Sequence, residues 1–169
     1  QDLGDVAALG IEVWRSGMPW RLAEPSPGVY DWTVWDRALD ACRRHGLLPV
    51  IDLCHFGLPD HYGGFCEPAW VEGFGHYVDA FLARYPDPVW FTPVNEPGIT
   101  ALFSARLGMW NDRKATEDDY FTALGNIVSA NLDALRRIRA DRDGWWIGSE
   151  GFGCELADPG DDAGVQAAT

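Results

Sequence analysis

Three short stretches concentrate groups able to do chemistry on a polar organic substrate. Phe91-Thr92-Pro93-Val94-Asn95-Glu96-Pro97 runs from apolar residues into an amide and a carboxylate, and a proline then breaks the chain. Hydrolysing a glycoside takes one carboxylic acid to protonate the departing oxygen and a second carboxylate across the sugar, and it gains from a hydrogen bond to the sugar's 2-hydroxyl. Glu96 and Asn95 have the right types for the acid and for that hydrogen bond; the plainer alternative is that they cap the next segment. Asp52-Leu53-Cys54-His55-Phe56-Gly57-Leu58-Pro59 offers an imidazole that can bond a hydroxyl and a ring that can lie on a sugar's apolar face. A hydrogen-bonded structural histidine fits the same stretch. Arg15, five residues before Trp20, can hold a catalytic carboxylate ionised, or can close an internal salt bridge with Glu12, Glu24 or another acid.

The elements that must position these groups follow from apolar patterning. Ile11 to Trp14, Leu47 to Leu53, Val89 to Pro93 and Trp145 to Gly148 are short, continuous apolar runs, as strands buried on both faces should be. Helical periodicity fills the intervals. One helix opens after Asp31, presents Val34, Ala38, Leu39 and Cys42, and closes on Arg43, Arg44, His45 and a C′ glycine, Gly46. A second starts near Pro68 and repeats Trp70, Val71, Phe74, Tyr77, Val78, Phe81 and Leu82. A third follows Thr116, with Asp119 three residues on as a variant capping box, and carries Tyr120, Leu124, Ile127, Val128, Leu132, Leu135 and Ile138. Residues Leu3 to Leu9 suggest one more. Strand and helix in alternation mean parallel strands joined by crossovers. The turn after the first strand, Arg15-Ser16-Gly17-Met18-Pro19, is not the glycine-rich turn of a dinucleotide fold, whereas polar residues follow each strand: Arg15, His55, Asn95 with Glu96, and Glu150. The expected class is therefore α/β, a partial (β/α)8 TIM barrel of about strands two to five, with residues 1–169 as one incomplete domain and 156–169 as an irregular tail.

Composition narrows the partners. The chain has 169 residues, 26 acidic against 13 basic, for a formal charge of −13, which excludes a basic nucleic-acid footprint. No run of eighteen apolar residues spans a membrane, and the first ten residues are not a signal peptide. Four cysteines, Cys42, Cys54, Cys66 and Cys154, are too few for a disulfide scaffold, so reduced thiols and a cytoplasmic setting are expected. Cys54, His55, His61 and Cys66 lack the tight spacings of a zinc site, and neither metal nor cofactor is expected.

WRSGMPWRLAEPSPGVYDW, VIDLCHFGLPDHYGGF and FTPVNEP, in that order, resemble glycoside hydrolase family 1, the β-glucosidase family of the (β/α)8 hydrolase clan. FTPVNEP is similar to the family's acid/base signature at the end of its fourth strand. CHFGLP followed by Gly63-Gly64-Phe65 looks like its histidine loop, and Arg15 with Trp20 matches its second-strand pattern. The resemblance implies that Glu96 is the general acid/base of a retaining mechanism on β-glycosides. It further implies that Asn95 binds the sugar's 2-hydroxyl, that His55 bonds hydroxyls of the same sugar, and that Arg15 lies beneath the catalytic pair and meets the nucleophile. Glu150, after the fourth strand, is expected to make polar contacts with substrate or with Glu96.

The departures are equally specific. The family's Glu-Asn-Gly nucleophile motif is absent, so this chain would hold only the acid/base half of a site, with the remainder of the barrel as its partner. Phe56 stands where members commonly carry Trp, so the usual glucose or galactose preference is not carried over. Two other readings stay open: a clan relative cleaving a polysaccharide such as cellulose or mannan, and a non-catalytic sugar-binding protein in which Trp20, Phe56, Trp70 and Trp110 include stacking platforms, although aromatics on amphipathic helices are usually core and Trp70 is expected to be.

Overall fold

The computed structural model describes residues 2–148, so Glu150, Cys154 and the expected tail lie outside the described residues. In order, the chain forms α1 (Asp2–Ala8), β1 (Val13–Gly17), α2 (Trp20–Ala23), α3 (Thr33–His45), β2 (Leu48–Cys54), α4 (Ala69–Arg84), β3 (Trp90–Val94), α5 (Pro97–Ala101), a π-helical turn (Leu102–Arg106), α6 (Glu117–Asp141) and β4 (Trp145–Trp146). The four strands make one parallel sheet in the order β1-β2-β3-β4. That order settles the architecture between the two candidates. A doubly wound sheet reverses its strand order at a switch point, whereas a barrel adds each strand beside the last.

Local chemistry sets the helix ends. Gly46 closes α3 at φ 69°, a left-handed value open to glycine, and the Leu47 N–H reaches back to the Cys42 carbonyl. Asp31 accepts the Thr33 N–H at 2.9 Å, and Thr116 accepts the Asp119 N–H at 3.1 Å while its hydroxyl donates to the Asp119 carboxylate. Pro68 directly precedes α4, one residue from its expected start.

Which residues the helices bury departs from the expected faces. In α3 the buried positions are Trp35, Leu39 and Cys42, while Val34 points outward at 40% exposure. In α6 the buried positions are Ala123, Ile127, Ala130, Ala134 and Ile138, and Val128 and Leu132 are exposed. α6 lies against α4, Arg137 of α6 bridges Asp133 and Asp79 across that seam, and three of the five buried α6 positions are alanines. Alanine carries little signal in a count of large apolar residues.

The sheet has two distinct faces. Ile51, Leu53 and Phe91 face the helices, and Phe91 meets Phe81 of α4 edge-on at 6.4 Å between ring centres. Trp35 donates from Nε1 to the Tyr77 hydroxyl at 2.9 Å inside a buried aromatic core that includes Trp20, Trp70 and Phe74. The register places Val13, Arg15 and Gly17 in line with Leu48, Val50 and Asp52, and these in turn with Trp90 and Thr92. By strand alternation these residues share the opposite face, which in a barrel is the interior. Val13, Leu48 and Trp145 on that face are solvent-exposed. No described helix is long and apolar enough to cross a membrane.

Candidate functional site

β1 begins at Val13, two residues later than its apolar run suggests, because ladder pairing starts at Val13 opposite Leu48. Arg15 therefore sits inside the strand rather than after it. From that position its guanidinium crosses the inner face to the adjacent β2 and on to β3. Nη2 lies 2.8 Å from Asp52 Oδ2 and donates to Asn95 Oδ1 at 2.6 Å, while Nε donates to Thr92 Oγ1 at 3.2 Å. The Thr92 hydroxyl donates to the carbonyl of Ile147, the residue after β4, at 2.8 Å, which ties that strand's end into the same network. Arg15 thus adopts the salt-bridged arrangement, with Asp52 as the acid rather than Glu12 or Glu24.

His55 is the first residue beyond β2. Its Nδ1 lies 2.7 Å from the same Asp52 Oδ2 that meets Arg15. The residue that makes this possible is Gly17, at the end of β1. A Cβ there would collide with Cβ and Cγ of His55 and come within 2.9 Å of Nδ1. Asp52 is fully buried, and burial pushes its carboxyl above the ordinary value, opposed by the His55 hydrogen bond and the Arg15 charge.

Asn95 is the first residue past β3 and is 1% exposed; its N–H donates to the Cys54 carbonyl, and its own carbonyl accepts from Thr100 Oγ1. A guanidinium can only donate, so its contact with Oδ1 fixes which way the Asn95 amide faces. Glu96 follows, half-buried, at φ 43° and ψ 68°, a left-handed conformation that a non-glycine residue holds at a cost of order 1–3 kcal/mol. It stands just ahead of Pro97, the first residue of α5. That short helix runs directly into the π-helical turn, a form that recurs at functional sites. Neither element has a hydrophobic period of its own in the sequence.

The loops beyond β2 and β3 are clasped together. Asn111 donates to the Phe56 carbonyl and to Ser104 Oγ, both at 3.0 Å, and Phe56 is itself left-handed at φ 61°. The Phe56 ring lies 4.5 Å from His55 and 4.9 Å from Trp110, which stacks on Phe103 at 4.7 Å. Beside His55, then, runs an aromatic ledge of three rings. Asp112 pins the same pair of loops by accepting the N–H groups of Phe65 and Cys66. Glu24, buried at the end of α2, accepts from Trp20 Nε1, the Gly28 N–H and the Tyr62 hydroxyl.

One sequence expectation changes in this light. Trp20 is 1% exposed and belongs to the core, so it cannot stack on a ligand, while Trp70 lies in the core as expected. Cys54 directs its thiol to the Gly57 carbonyl, Cys66 directs its own to the Asp119 carbonyl, and His61 lies beside Glu24, so these side chains are occupied separately. The described cysteines, Cys42, Cys54 and Cys66, are buried and unbridged. Asp52 and Gly17 were not singled out for chemistry. The available signal was a lone charge inside the apolar run Val50-Ile51-Asp52-Leu53-Cys54.

Arg15, Asp52, His55 and Asn95 form one connected cluster at the carboxy-terminal ends of adjacent parallel strands, with Glu96 next in the chain. Known proteins share this framework. A β-glucosidase from Thermotoga maritima solved with deoxynojirimycin superposes with a TM-score of 0.86 at 20% identity, over 99% of this chain and 40% of its own. The enzyme AHE from Alicyclobacillus herbarius gives 0.87 at 23% identity, over 99% and 40%. Among curated relatives, the aryl-phospho-β-D-glucosidase BglA of Bacillus subtilis (strain 168) is 31% identical over 78% of this chain and 31% of its own length. The coniferin β-glucosidase of Pinus contorta is 26% identical over 65% and 23%. The chain thus spans about a third or less of these two relatives. Residues 7–159 match the family profile described as glycosyl hydrolase family 1, and with four consecutive barrel strands in sequential order, the chain belongs to that family.

Proposed function

We propose that this chain carries the acid/base side of a retaining β-glycosidase site. The carrying observation is the convergence of Arg15, His55 and Asn95 through Asp52 at one rim of the sheet, immediately before the strained Glu96 backbone. Glu96 is the general acid that protonates the leaving oxygen and then the base that activates water. Asn95, held by Arg15 with its oxygen inward, directs its NH2 group away from the guanidinium and toward a sugar hydroxyl. His55 meets a hydroxyl of the same ring, Glu150 adds a polar contact, and the Phe56–Trp110–Phe103 ledge receives the apolar part of the leaving group. Arg15 spends Nε and Nη2 on Thr92, Asp52 and Asn95, so a nucleophilic carboxylate meets it through Nη1. That nucleophile comes from further β/α units of the same barrel, which also cover the exposed inner-face residues Val13, Leu48 and Trp145.

Two measurements test this reading. Calorimetric titration with deoxynojirimycin should show saturable binding, weakened about tenfold by Asn95→Ala, the scale of one hydrogen bond. Absence of binding by the unaltered chain overturns the sugar assignment. With a p-nitrophenyl β-glucoside the chain alone should show no turnover; robust turnover lost in Glu96→Gln would mean that it supplies its own second carboxylate.

A further inference from the structure

We infer that Asp52 is a positioning residue that fixes the His55 imidazole with its proton on Nδ1, making Nε2 a hydrogen-bond acceptor toward substrate. For what Nε2 meets, this rests on the proposed sugar-binding role of His55; the placement of the proton does not.

The argument is one of donors and acceptors. Asp52 Oδ2 is approached from two sides, by Arg15 Nη2 at 2.8 Å and by His55 Nδ1 at 2.7 Å. A guanidinium has no lone pair to offer, so Oδ2 accepts from Arg15. A carboxylate accepting from both sides gives two charge-assisted hydrogen bonds, whereas a proton on Oδ2 would confront the cation. The proton of the Asp52–His55 pair therefore resides on the ring. Among the described residues Asp52 Oδ1 is buried with no hydrogen-bond partner, so the carboxylate's charge is balanced through Oδ2.

Geometry removes the alternatives. His55 lies across the end of β1 in space that exists because residue 17 has no Cβ, and the Gly17 backbone closes one side of the ring. Phe56 packs edge-on at 4.5 Å. The ring cannot swing without leaving this slot. A neutral histidine side chain in water carries its proton chiefly on Nε2, so Asp52 inverts the ordinary preference. A sugar hydroxyl facing His55 must then donate its own proton to the ring.

Long-range nitrogen–proton NMR of the chain reads this directly, with the His55 signals assigned by their loss in His55→Asn. In mildly alkaline buffer the unaltered chain should show a protonated, pyrrole-type Nδ1 and a pyridine-type Nε2. Asp52→Ala should shift the majority of His55 to the Nε2–H form. Asp52→Asn should retain Nδ1–H, because Arg15 holds the amide oxygen toward the ring. Nε2–H in the unaltered chain overturns the inference without any variant, and so does an unchanged tautomer in folded Asp52→Ala. In parallel, Asp52→Ala should weaken deoxynojirimycin binding about tenfold; full affinity with the tautomer lost overturns the positioning role. Failure of the unaltered chain to bind that sugar mimic counts against the proposed function, and the spectra still decide Asp52.

Discussion

Arg15 touches three partners on two strands, and what each loses without it differs. Thr92 and Asn95 would each lose the donor to one neutral oxygen, but Asp52 would keep a charge in a place closed to water. Arg15→Met is therefore expected to cost about 2–3 kcal/mol in urea unfolding, below the range for fully buried pairs because the arginine side chain is 31% exposed. Arg15→Met with Asp52→Leu should recover most of that loss, since the pair is then replaced rather than broken. Gly17→Ala is expected to leave the far-ultraviolet dichroism intact while reducing deoxynojirimycin affinity, because the added methyl displaces His55. At this scale the motifs drew attention to Arg15, His55, Asn95 and Glu96, and the structure links the first three through Asp52, with Glu96 next in the chain. Asp52 and Gly17 were missed because their roles are distances across the sheet, which spacing along the chain does not encode.

The four strands and the four longer helices were readable in kind and order because their apolar runs and caps are strong, and the strand boundaries moved by two residues or fewer at their starts. Their buried faces were less readable. Weighting large side chains favoured Val128 and Leu132, and the structure buries Ala130 and Ala134 instead. Ala134→Leu should then destabilise by about 1–3 kcal/mol through overpacking, whereas Leu132→Ala should change stability little; thermal melts of the two variants compare them. Thr116→Ala removes the reciprocal cap at the start of α6 and is expected to cost about 1 kcal/mol. α5 and the π-helical turn were not foreseen, since five-residue elements are too short to show a period.

For the whole molecule, acid titration should act in two directions. Arg84 holds the Asp36 carboxyl below its ordinary 3.8, and the Thr116 hydroxyl, with Lys114, does the same for Asp119. Such groups stabilise the fold above the unfolded value and cease to do so as pH falls through the lowered one. Asp52 is raised, so its protonated form is favoured by folding, and that contribution is lost as pH rises through the raised value. As pH falls through the raised Asp52 value the melting temperature should therefore rise, a rise that Asp52→Asn removes, and below the ordinary 3.8 it should fall as Asp36 and Asp119 take up protons. The stacked Trp90 and Trp145 rings, 5.7 Å apart at an interplanar angle of 19°, join β3 to β4 where only two residues of ladder do so. Indoles that close should couple their electronic excitation, so a coupled dichroism band is expected from the last described strand. Peeling of that strand from the sheet would erase the coupled band while leaving the other Trp transitions in place, giving a built-in optical report on the edge.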